Sequence, residues 1–350
     1  MTWFEFMSWR ITCMRVLSVA AGALATVVSL AAPSYAGIVN FGSGGNTFSM
    51  EFKTIGNPNN TADTTGLPNP AGAVGYTYDI GKFEVSRAMV TAYNANPGVV
   101  QITLDSMPLV NGGPRAAMPA AGISWNEAAR FVNWLNTQKG FAPAYKFTTN
   151  GSNDNIALWD STANPLDFDA SNRYRSKRAN FFLPSLNEWY KAAYYDPNKS
   201  GGAGYWDYAT GSDSAPAQTS GSQVQGEAVY NRTEFQGPAD VTNAGGLSPY
   251  GVMGLNGNVW EWEETSLDLA NSNGSSTRGL RGGGYASVAP VLLASARGSD
   301  VPSAGNSSSP DYGFRVSSYN SDAVVPEPSM MVIGMVFGLG GLAAKRRLKK

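Results

Sequence analysis

Residues 254–265 read GLNGNVWEWEET: a turn built from Asn256, Gly257 and Asn258, then Trp260 and Trp262 on either side of Glu261. Asn-Gly pairs favour tight turns because both residues tolerate left-handed backbone. If the segment that follows is extended, alternate side chains share a face, so the two tryptophans point the same way. Each can then bury roughly 200 Å². The stretch reads as a strand pinned to an aromatic core. Its glutamate is a candidate for chemistry, for a metal, or for neither. Glu263, Glu264 and Asp268 follow closely and complete a carboxylate cluster. Glu263 and Glu264 adjoin each other and are expected to face solvent.

The rest of the chain limits what that cluster can do. None of the 350 residues is histidine, and the only cysteine is Cys13. Cys13 lies in an N-terminal segment in which Arg10 and Arg15 precede an apolar run from Val16 to Ala32, closed by Ser34-Tyr35-Ala36. That grammar predicts a signal peptide over residues 1–36, removed by signal peptidase. The remaining chain then has no thiol and no imidazole. It forms no disulfide, and it lacks the commonest general base and the commonest transition-metal ligands.

Outward from the opening stretch, residues 37–323 are rich in Gly, Ser, Asn, Thr and aromatics, a composition suited to a loop-rich domain of short strands. Three helix starts stand out. In SWNEAARFVNWLNTQKG, Ser124 and Glu127 form a capping box, Ala128, Phe131, Val132 and Leu135 make one apolar stripe, and Gly140 ends the helix. In SLNEWYKAAYY, Ser185 and Glu188 repeat the box, and Asp196-Pro197 stops the run. In GYTYDIGKFEVSRAMVTAYNA, Tyr76, Tyr78 and Ile80 alternate as in a strand, and Ser86 caps a helix. Residues 147–180 and 199–231 are polar and weakly patterned, and both are expected to be long surface loops. Tyr205, Trp206 and Tyr208 in the second can serve either as core or as stacking platforms for sugar rings.

The C-terminal segment, 324–350, holds Pro326-Glu327-Pro328, an apolar run from Met330 to Ala344, and a basic end that begins Lys345-Arg346-Arg347. Fifteen helical residues span about 22 Å, short of a hydrocarbon core of about 30 Å. These three parts in this order resemble the PEP-CTERM sorting signal of Gram-negative bacteria. The resemblance implies a transient inner-membrane anchor, cut by an exosortase near Pro-Glu-Pro on the way to the cell surface or matrix. Without residues 1–36 and 326–350 the chain keeps 18 basic and 24 acidic residues. A net charge near −6 with no basic run argues against nucleic acid as a partner.

The order of the internal segments carries a second resemblance. GKFEVSRAMVTAYNA, MPAAGISWNEAARFVNWLN, FFLPSLNEWYKAA, YGVMGLNGNVWEWEE, RGLRGGGYAS and DYGFRV follow one another over residues 45–318. The series resembles the sulfatase-modifying-factor, or formylglycine-generating-enzyme, family from end to end. It implies an α+β domain, a variant of the C-type-lectin-like fold, loop-rich with short strands and a few capped helices. The family's enzymes oxidise a cysteine or serine of a client sulfatase to formylglycine with two cysteines that bind copper. Counted from Gly282-Gly283-Gly284-Tyr285, those positions fall here at Ser287 and about Leu292. Neither can supply a thiolate, so no copper is expected. A related branch uses iron held by histidines, which this chain lacks.

The same resemblance implies a calcium site beside Trp-Glu-Trp, with carbonyls of Gly257 and Val259 and the side chain of Glu261. Gly254 departs from it, because family members usually carry Asn or Asp there. The glycine cluster RGLRGGGY lacks the Gly-Lys-Ser/Thr ending of a phosphate loop and is expected to let backbone pass close to aromatics. Arg315 reads as a packing and ion-pair residue. The expected function is a non-catalytic, surface- or matrix-sorted module for polysaccharide or an envelope protein. The alternatives are a hydrolase using the carboxylates Glu261, Glu263, Glu264 and Asp268, and residual oxidation of sulfatases.

Overall fold

The structure, a computed structural model, describes residues 37–106, 113–305 and 310–319. The expectations placed on residues 1–36 and on Pro326, Glu327, Pro328, Lys345, Arg346 and Arg347 fall outside them. Among the described residues no helix is long and apolar enough to cross a membrane.

The elements run β1 (Ile38–Ser43), β2 (Asn46–Ile55), β3 (Tyr78–Gly81), α1 (Arg87–Asn94), α2 (Trp125–Gln138), β4 (Phe181–Phe182), α3 (Leu186–Tyr194), β5 (Tyr195–Asp196), β6 (Gly204–Tyr205), β7 (Ala217–Gln218), β8 (Glu227–Ala228), β9 (Trp260–Ser266), β10 (Arg278–Arg281), β11 (Gly298–Asp300), β12 (Tyr312–Gly313) and β13 (Ser317–Ser318). A five-stranded sheet has the order β1-β2-β3-β13-β4, and a four-stranded sheet the order β11-β10-β9-β12. β13, almost the last segment described, is hydrogen-bonded between β3 and β4. β12 pairs parallel to β9, with Tyr312 opposite Trp260.

Each helix starts where its cap is. Ser124 and Ser185 both accept from the backbone of the glutamate three residues on, and each glutamate reaches back to its cap. Such caps contribute about 1 kcal/mol each. α1 begins after Ser86, which accepts from the Met89 amide. The α2 stripe of Ala128, Phe131, Val132 and Leu135 is fully buried. Phe131 and Trp134 meet Phe48 of β2, with ring centroids 5.8 Å away in each case. This aromatic layer joins α2 to the five-stranded sheet. Tyr78 and Ile80 are buried as a strand pattern requires, but Tyr76 lies before β3 and is 40% exposed.

The two polar segments are not simple surface loops. Residues 199–231 contain β6, β7 and β8, and Tyr208 is buried. Tyr205 sits against Tyr190 and Tyr195, and its hydroxyl donates to the Thr61 carbonyl. The Trp206 indole donates to Asp196, with Lys199 over its ring. Residues 147–180 have no helix or strand until their final residues pass into β4, yet they deliver Tyr174 and Arg175 into the interior.

Candidate functional site

β9 carries three glutamates, and all three are fully buried. The expectation that Glu263 and Glu264 face solvent is therefore corrected. Neighbours on a strand point to opposite faces, and here both faces of β9 are covered. On one side the Trp125 indole of α2 donates to the Glu263 carbonyl; on the other the Trp189 indole of α3 donates to the Glu261 carboxylate. Buried carboxylates must be paired and hydrogen-bonded, and each glutamate has its own arginine.

Arg315 grips Glu261 with Nε and Nη2, both 2.5 Å from the carboxylate, and donates to the carbonyls of Gly81 and Met253. Arg281 Nε lies 2.7 Å from Glu263 Oε1, and Arg297 Nη2 lies 2.7 Å from Oε2. Arg175 binds Glu264 through Nε at 2.8 Å and Nη2 at 2.6 Å, and also reaches Glu188 at 3.0 Å. Burial pushes the Glu188 carboxyl up, but the Arg175 charge and its hydrogen bonds outweigh that and hold it below the usual carboxylate range. Asp268 stands apart near solvent, its carboxyl lowered by hydrogen bonds from Ser266 and the Ala270 amide. The four carboxylates expected to cluster thus do not face one another across a cleft. Arg315 is the ion-pair residue its motif suggested.

The turn before β9 is held by side-chain hydrogen bonds. Asn256 donates to the Leu292 carbonyl at 2.9 Å, while Asn258 donates to Glu84 and accepts from the Ala239 amide, each at 2.8 Å. Gly254 has φ +77°, and a Cβ there would meet Glu84 Oε1 at 2.5 Å. The Glu84 carboxylate therefore lies against the place where a side chain at 254 would begin. Glu84 is buried, and its Oε2 has no hydrogen-bond partner. Burial pushes its carboxyl up to about 8, reinforced by the Glu261 charge and opposed by Arg315. This residue was missed in the sequence because nothing in FEVS sets Glu84 apart.

The implied calcium ligands Gly257, Val259 and Glu261 can be tested against this geometry. Calcium takes six to eight oxygens, carboxylates prominent among them. Both oxygens of Glu261 are already held by the Arg315 guanidinium, and Oε2 also accepts from Trp189 at 2.7 Å. A cation placed there would confront another positive charge. As arranged, the Glu261 carboxylate does not fit calcium.

Ser287 precedes a short 3-10 turn, Ala289–Leu292, and Leu292 is its last residue. Both close on the same point: a Cβ at Gly283 would meet Ser287 Cβ at 3.3 Å and Leu292 Cδ1 at 3.2 Å. Ser287 Oγ accepts from the Gly284 amide at 2.9 Å, and the Ser287 carbonyl accepts from Asn231 at 2.7 Å. Leu292 is fully buried and packs with Tyr208 and Ala228. The glycines beside them admit close neighbours, as a Cβ at Gly282 would meet Trp189 at 3.3 Å. Asp311 lies against Gly284, and burial, reinforced by Glu234, pushes its carboxyl up to about 6.

With this frame in view, the comparisons are specific. Residues 43–318 match the family of the sulfatase-modifying factor enzyme 1-like domain. The chain belongs to that family. Among solved structures it is similar to Treponema denticola variable protein 1, with a TM-score of 0.53, 20% identity, and 81% of this chain and 98% of that one covered. It is also similar to CarF, with a TM-score of 0.52, 19% identity, and coverages of 77% and 98%. At such identities the likeness concerns the fold alone: a mixed, sheet-rich architecture with few helices, of the sulfatase-modifying-factor type. No curated protein matches.

Sulfatase-modifying-factor membership sharpens the reading of β9. Its glutamates are paired with arginines within the domain, and Ser287 and Leu292 meet beside Gly283.

Proposed function

We propose that this chain is a non-catalytic member of the sulfatase-modifying-factor family, exported and sorted to the cell surface or extracellular matrix of a Gram-negative bacterium. There it serves as a binding or structural module for a polysaccharide or an envelope protein. What supports the reading is the pair Ser287 and Leu292: they adjoin one glycine, fall where the resemblance implies the copper-binding cysteines, and supply no thiolate. No cysteine or histidine elsewhere in residues 37–350 can replace them.

Export rests on the N-terminal segment read by signal peptidase, and sorting on the Pro326-Glu327-Pro328 tail offered to an exosortase. A C-type-lectin-like variant of the fold suits binding, since irregular loops on a rigid base are where such domains hold ligands. The module needs no calcium at the Gly257–Glu261 turn, where Arg315 supplies the positive charge.

Three measurements test the proposal. The purified chain, given copper(I) and a cysteine-containing sulfatase peptide, is expected to form no formylglycine; aldehyde formation above a protein-free control would overturn the non-catalytic reading. Pull-down by the source organism's envelope and matrix polysaccharides is expected to be saturable and indifferent to chelator. The double variant S287C/L292C is expected to bind copper(I) where the parent does not, because its thiols would approach each other beside Gly283.

A further inference from the structure

Beside α2, between its residues 130–137 and residues 143–147, lies a cleft of about 350 Å³. That places it at the small end of the 300–1,000 Å³ typical of ligand pockets (about the size for a short oligosaccharide segment). Its walls are aromatic and aliphatic: Trp134 and Trp159, each buried but for an edge, with Phe147 and Val99. Its charges are Arg130 and Lys146, and no carboxylate lines it.

The two cations differ from the arginines of β9. Neither Arg130 nor Lys146 forms an ion pair among the described residues. Arg130 lies flat over Phe147, 3.8 Å from the ring centroid, and donates through Nη2 to the carbonyls of Thr149 and Gly151. Its Nε is buried with no hydrogen-bond partner, and Asp154 acts on it only through space. Lys146 donates to the neutral Asn164 side chain at 2.8 Å, with its Nζ 6.0 Å from the Trp159 ring. Asp160 likewise acts on Lys146 only through space, so in a chain of net negative charge two cations without an acid in direct contact, set between aromatic walls, are a local exception.

We infer that this cleft binds a carboxylated sugar, a uronate unit of an acidic polysaccharide. A uronate ring offers one carboxylate and an apolar C–H face. The cleft offers cations for the first and aromatic surface for the second. An acidic peptide would bring a carboxylate at every residue with little apolar face, which matches the aromatic walls less well. The inference rests on the binding-module reading and names the ligand class for it.

The test is titration of the purified full chain with tetragalacturonate, followed by tryptophan fluorescence, beside the methyl-esterified tetramer and poly-glutamate. Tetragalacturonate is expected to bind saturably and to weaken as salt is raised, with the ester weaker by on the order of tenfold. K146Q is expected to weaken binding several-fold at unchanged melting temperature. R130Q weakens it further and serves as the second variant, since it also loosens the Phe147 loop. Equal binding of ester and acid, or tighter binding of poly-glutamate, would overturn the inference. If the parent binds an envelope polysaccharide and K146Q binds it equally well, the cleft is excluded while the binding-module reading stands. Absence of any polysaccharide binding by the parent would overturn the inference and leave the module with an envelope protein or a structural role.

Discussion

β9 and the Arg130 cleft use charge in opposite ways. Along β9 the three glutamates are buried and held by arginines, and two of the pairs also tie in aromatic donors. In the cleft two cations stand among aromatics with no acid in direct contact, Asp154 and Asp160 acting on them only through space. Charge that is saturated inside holds the fold in register, whereas charge left uncompensated at a concave surface is available to a ligand. A cluster of acidic letters in the sequence is therefore no guide to which region is functional.

The largest effect should come from breaking a β9 pair. R315M leaves Glu261 buried without its counter-charge, and removing one partner of such a pair costs roughly 3–5 kcal/mol. Thermal unfolding should show a fall of many degrees, while K146Q in the cleft should stay within about 0.5 kcal/mol of the parent, as surface substitutions do. Comparable losses in both would erase the contrast.

Next comes Glu84, the acid that shares Arg315 with Glu261. Its folded-state carboxyl is raised from 4.5 to about 8 by burial. Between those values the native state holds a proton that the unfolded chain has released, so stability falls as pH rises from about 4.5 to about 8 and levels off above. E84Q should flatten that part of the stability–pH profile in denaturant titrations. An unchanged slope would mean that another group carries it.

A smaller effect is expected from chelation. Because Arg315 fills the cation's role at Glu261, adding EGTA should leave the melting temperature unchanged. A drop of several degrees that calcium restores would show that the turn rearranges around an ion.

What could be read from the sequence was local. Both capping boxes were legible because cap and partner lie three residues apart, as with Ser124 and Glu127. The Trp-Glu-Trp strand and the buried α2 stripe were legible from periodicity. The ion pairs were not: Arg175 is 89 residues from Glu264, inside a polar segment with no pattern. Glu84 was invisible for the same reason, since its environment comes from Gly254, Asn258 and Arg315 far along the chain. The expectation that Glu263 and Glu264 face solvent failed because both faces of β9 are covered by distant segments, which a local reading does not show.

The position of β13 between β3 and β4 has a consequence for the time course of synthesis. A sheet whose fourth strand is residues 317–318 cannot close until that segment has been made, and such long-range pairing is slow to form. Arg315 arrives in the same segment, so until then Glu261 has no counter-ion and the interior cannot seal around it. The domain thus stays open until that segment exists, and loss of a few residues around 312–318 should abolish folding rather than trim its edge.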